Sequence, residues 1–306
     1  MPNREPLNPH VETFSGNDSE LPIVDAHVHL WDLQRFRYPW LAAIPGLNRN
    51  FSLHDFDNAI QGSDVRKIVF VQCECEPEQY RDEVNWVTEL AQSDSRIEGI
   101  VSWAPLEWGV RVERELEQLA ANPLIKGIRR IIQFEPDPDF CLRQEFIEGV
   151  RLLPNFGWTF DICISHHQIP NAVLFVQQCP DVRFVVDHIG KPEIKKKLME
   201  PWRSGMQRLA EFPNVHCKLS SLATEANHWE WTENDLAPYV EHILNCFGPE
   251  RIFFSGDWPV SAQAATYNRC VEMVTNFVAR YGRENLKKIF AHNAIDFYKL
   301  SPITPH

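Results

Sequence analysis

Pro22-Ile23-Val24-Asp25-Ala26-His27-Val28-His29 is an apolar, β-branched run that ends in two histidines two residues apart. Such a run reads as a buried strand. Side chains in a strand repeat with period two, so His27 and His29 point the same way. Two imidazoles projecting together from a strand end make half of a metal site or a polar catalytic pair. The plainer alternative, one histidine in the core and one in solvent, conflicts with that shared direction.

Seven further runs of the same kind follow: Lys67–Gln72, Glu98–Trp103, Gly127–Ile132, Trp158–Ile164, Arg183–His188, Val215–Leu219 and Ile252–Ser255. Amphipathic segments separate them, at about 54–61, 79–93, 110–121, 140–153, 168–178, 196–211, 233–247 and 263–280. Leu236, Val240, Ile243, Leu244 and Phe247 trace one apolar helical face, as do Val271, Val274 and Val278. Eight strand–helix units without a break in composition predict an α/β protein that is a single (β/α)8 TIM barrel over 22–300. An open doubly wound sheet would place a Gly-rich turn after its first strand, where this chain has His27-Val28-His29. Residues 1–21, with Pro2, Pro6, Pro9 and Gly16, are expected to form a loose arm; 285–300 reads as a final helix or two and 301–306 as a tail.

The composition is that of a soluble globular chain: 306 residues, 44% hydrophobic and 24% charged. Its formal net charge of -12 disfavours nucleic acid and anionic membranes as partners. Lys195-Lys196-Lys197 reads as a solvated helix start. None of the eight cysteines forms a C-x-x-C pair, so reduced thiols in the cytoplasm are expected. The first twenty residues lack an apolar signal-peptide core, and no stretch reaches membrane-spanning length.

In such a barrel the chemistry sits at the C-terminal ends of the strands. Those ends supply His27 and His29; Gln72 and Glu74; Trp103; Arg129 and Arg130; His166, His167 and Gln168; Asp187 and His188; Lys218, Ser220 and Ser221; and Asp257 with Trp258. Each has a bland explanation: Asp257 as a helix N-cap, Asp187 as a loop tie, Lys218 snorkelling to solvent. Their collection at one end of a barrel does not. Arg129 and Arg130 alternate in direction, so one of the two faces the barrel. The first loop holds Trp31, Phe36, Tyr38 and Trp40 within ten residues. These rings either pack over the outer helices or form a wall that stacks on a sugar-like ring, completed by Trp103, Trp108 and Trp258.

Ile23-Val-Asp25-Ala-His27-Val-His29-Leu-Trp31-Asp32 resembles the opening signature of the amidohydrolase superfamily. Val185-Val-Asp187-His188-Ile-Gly190-Lys191-Pro192 and Phe254-Ser-Gly256-Asp257-Trp258-Pro259-Val resemble the sixth- and eighth-strand motifs of its amidohydrolase-2 lactonase branch, which includes L-fucono-, L-rhamnono- and galactonolactonases and 2-pyrone-4,6-dicarboxylate lactonase. Tyr38-Pro39-Trp40-Leu41, Lys126-Gly-Ile-Arg129-Arg130 and Val215–Leu222 fit as well. The resemblance spans about Pro22 to Leu300.

It implies a hydrolase that opens a sugar-acid lactone by water attack on the ring carbonyl. His27, His29, Asp257 and His188 match site positions of the branch. Gly127-Ile-Arg-Arg-Ile-Ile stands where binuclear relatives carry a bridging Lys or Glu, so at most one divalent metal is implied, most simply Zn2+. Its ligands would be His27, His29 and Asp257, with His167 as the histidine after the fifth strand and His166 as a second possibility. Some lactonases of the branch work without metal, and then Asp257 is the base. His188 and Arg129 are the candidates to stabilise the oxyanion, a contribution on the order of 3 kcal/mol. Trp31, Tyr38, Gln72, Trp103, Lys218 and Trp258 are the candidate substrate contacts, with Ser220 a further donor. The rival chemistry is a zinc-dependent decarboxylase of the aminocarboxymuconate-semialdehyde type; a non-catalytic sugar-binding barrel is a third reading. The expected partner is a small lactone, and a homo-oligomer is compatible with everything read here.

Overall fold

The computed structural model describes residues 21–303. The arm expected over 1–21 lies outside them except for Leu21, which packs on the core. Eight parallel strands form one sheet in chain order: β1 Ile23–Val28, β2 Val65–Val71, β3 Ile97–Ser102, β4 Ile125–Ile128, β5 Thr159–Ile162, β6 Arg183–Val186, β7 Val215–Leu219 and β8 Ile252–Phe254. The last edge returns to the first through a parallel bridge between Val28 and Trp258, with His29 N donating to Trp258 O at 2.8 Å and Asp257 N to His27 O at 2.8 Å. The structure is therefore the (β/α)8 barrel that the strand count predicts.

A helix follows each strand: α1 Leu53–Ala59, α2 Tyr80–Ser93, α3 Glu113–Ala120, α4 Gln144–Val150, α5 Ile169–Gln178, α6 Trp202–Ala210, α7 Glu233–Phe247 and α8 Tyr267–Ala279. Several ends differ from expectation: β4 is Ile125–Ile128 rather than Gly127–Ile132, α3 starts at Glu113 rather than 110, α4 is Gln144–Val150 rather than 140–153, and two further helix starts shift for local reasons. The segment expected from 196 is a 3-10 turn at Ile194–Lys196, and α6 begins only after Pro201, because a residue before proline avoids helical dihedrals. The Lys195–Lys197 run is thus a solvated turn outside the helix. The last crossover starts at Tyr267, where the Thr266 hydroxyl caps Arg269 N at 3.3 Å.

Side chains divide into two apolar layers. The larger fills the space between barrel and helices. The smaller lies inside the barrel: Val24, Ala26, Val69, Val71, Val101, Val185 and Phe253, closed off by Ala291, Ala294, Phe297, Tyr298 and Leu300 of the C-terminal helical segment. That segment plugs the end of the barrel away from the strand C-termini. Beyond it, Ser301 bonds Glu98 and Lys67, so the first residue of the expected tail is tied to the barrel.

β1 carries the feature that builds the site. Asp25 pairs with Ile68 and Val28 with Phe70, so β1 advances three residues while β2 advances two. One extra residue in one strand is a β-bulge. Asp25 accepts a bond from His27 N at 3.1 Å within it. Before the bulge, Val24 and Ala26 face the interior; after it, Val28 faces the helices and the two histidines face in.

Candidate active site

His27 and His29 meet with their Nε2 atoms 3.1 Å apart. His29 Nδ1 donates to the Val71 carbonyl at 2.7 Å, which fixes the tautomer and leaves Nε2 a lone pair. His27 is wholly buried, with Arg129 Nη1 3.1 Å from its Nε2 and Lys218 Nζ 3.1 Å from its Nδ1. Burial, then the Lys218 charge, push its proton affinity well below the usual histidine range, against the pull of Asp187. Burial also lowers His29, and it takes His188 down to about 4. All three imidazoles are therefore neutral near pH 7.

Asp257 completes the group from the end of β8. Its Oδ1 is 3.4 Å from His29 Nε2 and 3.6 Å from His27 Nε2; its Oδ2 takes a short hydrogen bond from Ser221 Oγ and lies 3.9 Å from His188 Nδ1. Burial alone would raise this carboxyl, but His188, His29 and His27 hold it well below the usual carboxylate range. Asp257 has a left-handed backbone, φ 51°, a conformation that costs a non-glycine residue energy and clusters at functional sites. The preceding Gly256 donates to Asp25 Oδ1 at 2.7 Å, and a Cβ there would overlap that carboxylate. Asp25 thus ties β1 to β8; burial pushes it up to about 7 in spite of bonds from Gly256, His27 and Tyr267.

Beneath this group lies an ionic layer. Lys218 Nζ contacts Asp161 Oδ2 at 2.6 Å and Asp187 Oδ1 at 2.9 Å, and Tyr298 OH donates to Asp161 Oδ2 at 2.9 Å. Arg129 Nη1 reaches Asp187 Oδ2 at 3.3 Å and its Nη2 donates to Gln72 O at 2.5 Å. Of the arginine pair, Arg129 faces the barrel; Arg130 turns outward to Glu107 and Glu135. Asp187 stays ionised, because Lys218 and His27 outweigh the effect of burial.

A cleft of about 450 Å³ opens above. His29, His188, Asp257, Arg129, Lys191, Trp40, Trp103, Phe134, Glu74 and Glu76 are among its walls. Trp103 lies where a substrate contact was expected. The other candidate contacts do not. Lys218 is fully buried because two carboxylates hold it inside the barrel. Gln72 is buried and bonds Glu74. Trp31 is buried behind Trp40, with its Nε1 donating to Arg49 O. Tyr38 is buried with its hydroxyl on Glu83, and Trp258 packs between Phe51 and Phe56. Trp108 is 47% exposed and lines no part of the cleft. Of the first-loop aromatics, Phe36 packs on Trp86 of α2 and only Trp40 reaches the cleft. Ser220 bonds His188 Nδ1 at 2.8 Å and orients it.

His167 is exposed and belongs to neither group of close donors, which are His27, His29, Asp257 and His27, Asp187, His188. It lines, with His166, a second cavity of about 600 Å³ that shares Gln133 and Lys191 with the cleft. Asp187 is a sixth-strand-end residue in the sequence reading without a role in the chemistry, and Asp161 is absent from it. The available signal was an acidic residue inside an apolar strand, which survives burial only when paired. All eight cysteines are free. No helix among the described residues is long and apolar enough to cross a membrane.

Known proteins share this architecture. An L-fucono-1,5-lactonase of Burkholderia multivorans is 30% identical over 265 residues, covering 82% of this chain and 86% of that protein. An L-fucono-1,5-lactonase of Burkholderia ambifaria is 28% identical over 286 residues, covering 90% and 95%. A crystal structure of an amidohydrolase from Burkholderia multivorans with bound zinc superposes with a TM-score of 0.82 at 27% identity, covering 91% of this chain and 99% of the other. The amidohydrolase family Amidohydro_2 matches residues 24–300, and the chain belongs to that family.

Proposed function

We propose that this protein is a lactonase that opens a sugar-acid lactone, of which L-fucono-1,5-lactone is the first to test. The single observation that carries this reading is Asp257: an ionised carboxylate on the cleft wall, ringed by three neutral imidazoles. The lactonase names of the two Burkholderia relatives supply the substrate class.

Ring opening needs an activated water, a polarised carbonyl and a proton for the departing alkoxide. Water held by Asp257 attacks the carbonyl carbon as its proton passes to the carboxylate. The oxyanion forms beside Arg129 and His188. Arg129 reaches the cleft wall, where its fixed positive charge faces the developing oxyanion. When the tetrahedral intermediate collapses, the ring C–O bond breaks and Asp257 returns its proton to the alkoxide. An alkoxide is a much stronger base than a carboxylate, so that return is downhill. Trp40 and Trp103 cover the faces of the ring.

The donor set fits a divalent cation. His27 and His29 are neutral, Asp257 is ionised, and the three donor atoms lie within 4.8 Å of one another. The His29–Val71 bond is the outer-shell contact such ligands carry. A zinc ion bound there would supply Lewis acidity and a more acidic water. The decarboxylase alternative leaned on a histidine after β5; His167 stands apart from this group, so that support is gone.

The test is a pH-stat assay on aldonolactones. Asp257→Asn is expected to lower kcat by about 10^2–10^4. Undiminished turnover in Asp257→Asn, or carbon dioxide release without acid release, would overturn the reading.

A further inference from the structure

His188, Ile189, Gly190 and Lys191 have φ values of 52°, 47°, 71° and 48°. Four successive left-handed residues make a short turn of the wrong hand for L-amino acids, at about 1–2 kcal/mol for each non-glycine residue. A Cβ at Gly190 would come 2.9 Å from Met206 Sδ, so a larger residue there would have to push that side chain aside. Strain of this kind persists where the surroundings over-determine it, and it concentrates at ligand sites. The turn holds two side chains on the cleft wall, His188 at its start and Lys191 at its end.

Among the described residues, the Lys191 side chain has no hydrogen bond or ion pair, although it is half-buried in an acidic protein. Of the nearby carboxylates, Glu193 pairs with Lys196 at 2.8 Å, while Glu225 lines the same outer cavity and feels the Lys191 charge without an ion-pair contact. Its partly buried stem holds the ammonium on the cleft wall, open to a ligand rather than to a protein partner.

Charge accounting says which ligand. Among the buried groups, Arg129 and Lys218 face Asp161, Asp187 and Asp257, while the imidazoles are neutral. Without Lys191 that set carries one excess negative charge, to which Glu74 and Glu76 on the cleft wall add, so an anion in the cleft depends on Lys191 for its attraction. Lactone opening creates one more anion in this place, since a neutral ester becomes a carboxylate. Arg129 is already tied to Asp187 and the Gln72 carbonyl, which leaves Lys191 as the wall cation without an ion pair among the described residues.

Resting on the lactonase reading, we propose that Lys191 is the counter-ion for the carboxylate formed as the ring opens, and so a residue that recognises the acid product over uncharged sugar. It stands where the cleft meets the outer cavity, so an opened chain moving outward keeps contact with it.

The probes are L-fuconate and uncharged L-fucose, titrated calorimetrically into wild type, Lys191→Met and Lys191→Arg. Lys191→Met is expected to weaken L-fuconate about tenfold while L-fucose changes far less, and Lys191→Arg is expected to restore most of the loss. Wild-type L-fuconate affinity is expected to fall with added salt, and that dependence to shrink in Lys191→Met. Equal weakening of both probes, no rescue by arginine, or no binding of L-fuconate by wild type would overturn the proposal. These titrations need no turnover: a protein inert toward lactones sinks the lactonase reading, while the fuconate-to-fucose comparison still decides on Lys191.

Discussion

Lys218 Nζ and Asp187 Oδ1 stand 2.9 Å apart at the centre of the barrel, and neither side chain has any contact with solvent. The pair is the hub through which β5, β6 and β7 are held at one level, since Lys218 also grips Asp161 and touches His27. Removing one partner from a buried ion pair leaves an uncompensated charge, which costs more than the pair contributes. Lys218→Met is therefore expected to destabilise the fold by about 3–5 kcal/mol. Adding Asp161→Asn to it is expected to recover part of that loss. Urea unfolding of the single and double variants checks both statements.

Glu83 lies under the first loop, fully buried, with Tyr38 OH donating to its Oε1 at 3.1 Å. Burial pushes its carboxyl up to about 8 from an ordinary 4.5. Between those values the folded chain keeps a proton that the unfolded chain releases. Its contribution is complete below pH 4.5 and is lost as pH rises through 8. Glu83→Gln keeps the bond and removes the titration. Its stability relative to wild type is expected to rise with pH, by on the order of 1 kcal/mol per unit across that window. A difference that stays flat from pH 5 to pH 8 in thermal unfolding would refute the assignment.

Strand number, order and most boundaries were legible because each run is apolar and β-branched, and Val215–Leu219 coincides to the residue. His27, His29, His188 and Asp257 were legible as strand-end polar residues. Depth was not. Period-two alternation says that Lys218 faces the barrel interior, but not whether it lies at the mouth or below it, so a structural cation was read as a substrate contact. Trp31, Tyr38 and Trp258 failed for a related reason: pattern finds aromatic residues near the mouth, and only packing tells which ring is in front. The bulge at Asp25–Val28 leaves no mark in composition, yet it sets both histidines inward. His167 looked like a ligand by position after β5; a 3-10 turn at His166–Gln168 carries it to the outer cavity instead.

The metal expectation has a readout apart from turnover. Protein freed of metal by chelation is expected to take up a single equivalent of zinc, because the two donor groups share His27 and the second has its Asp187 already held by Lys218 and Arg129. His29→Ala and Asp257→Asn are each expected to abolish that uptake, whereas His167→Ala leaves it unchanged. Zinc titration with a competing chromophoric chelator distinguishes the three variants. Uptake lost in His167→Ala would move the site to the outer cavity.

Trp31 and Trp40 meet edge to face, 5.6 Å between ring centroids, but only Trp40 lines the cleft. The two indoles therefore have separable roles. Trp40 is half-buried, anchored by Nε1 to the Cys73 carbonyl at 2.8 Å, and offers its remaining surface to a bound ring. Truncating it removes a stacking surface that contributes on the order of 1 kcal/mol to binding, so Trp40→Ala is expected to raise KM about fivefold. Trp31 is 1% exposed and touches Tyr38, Trp40 and Phe51. Its truncation opens a cavity, and Trp31→Ala is expected to cost about 3–5 kcal/mol of stability. Loss of stability without a larger KM in Trp40→Ala would mean that the first loop is scaffold throughout and that the lactone ring rests on Trp103 alone.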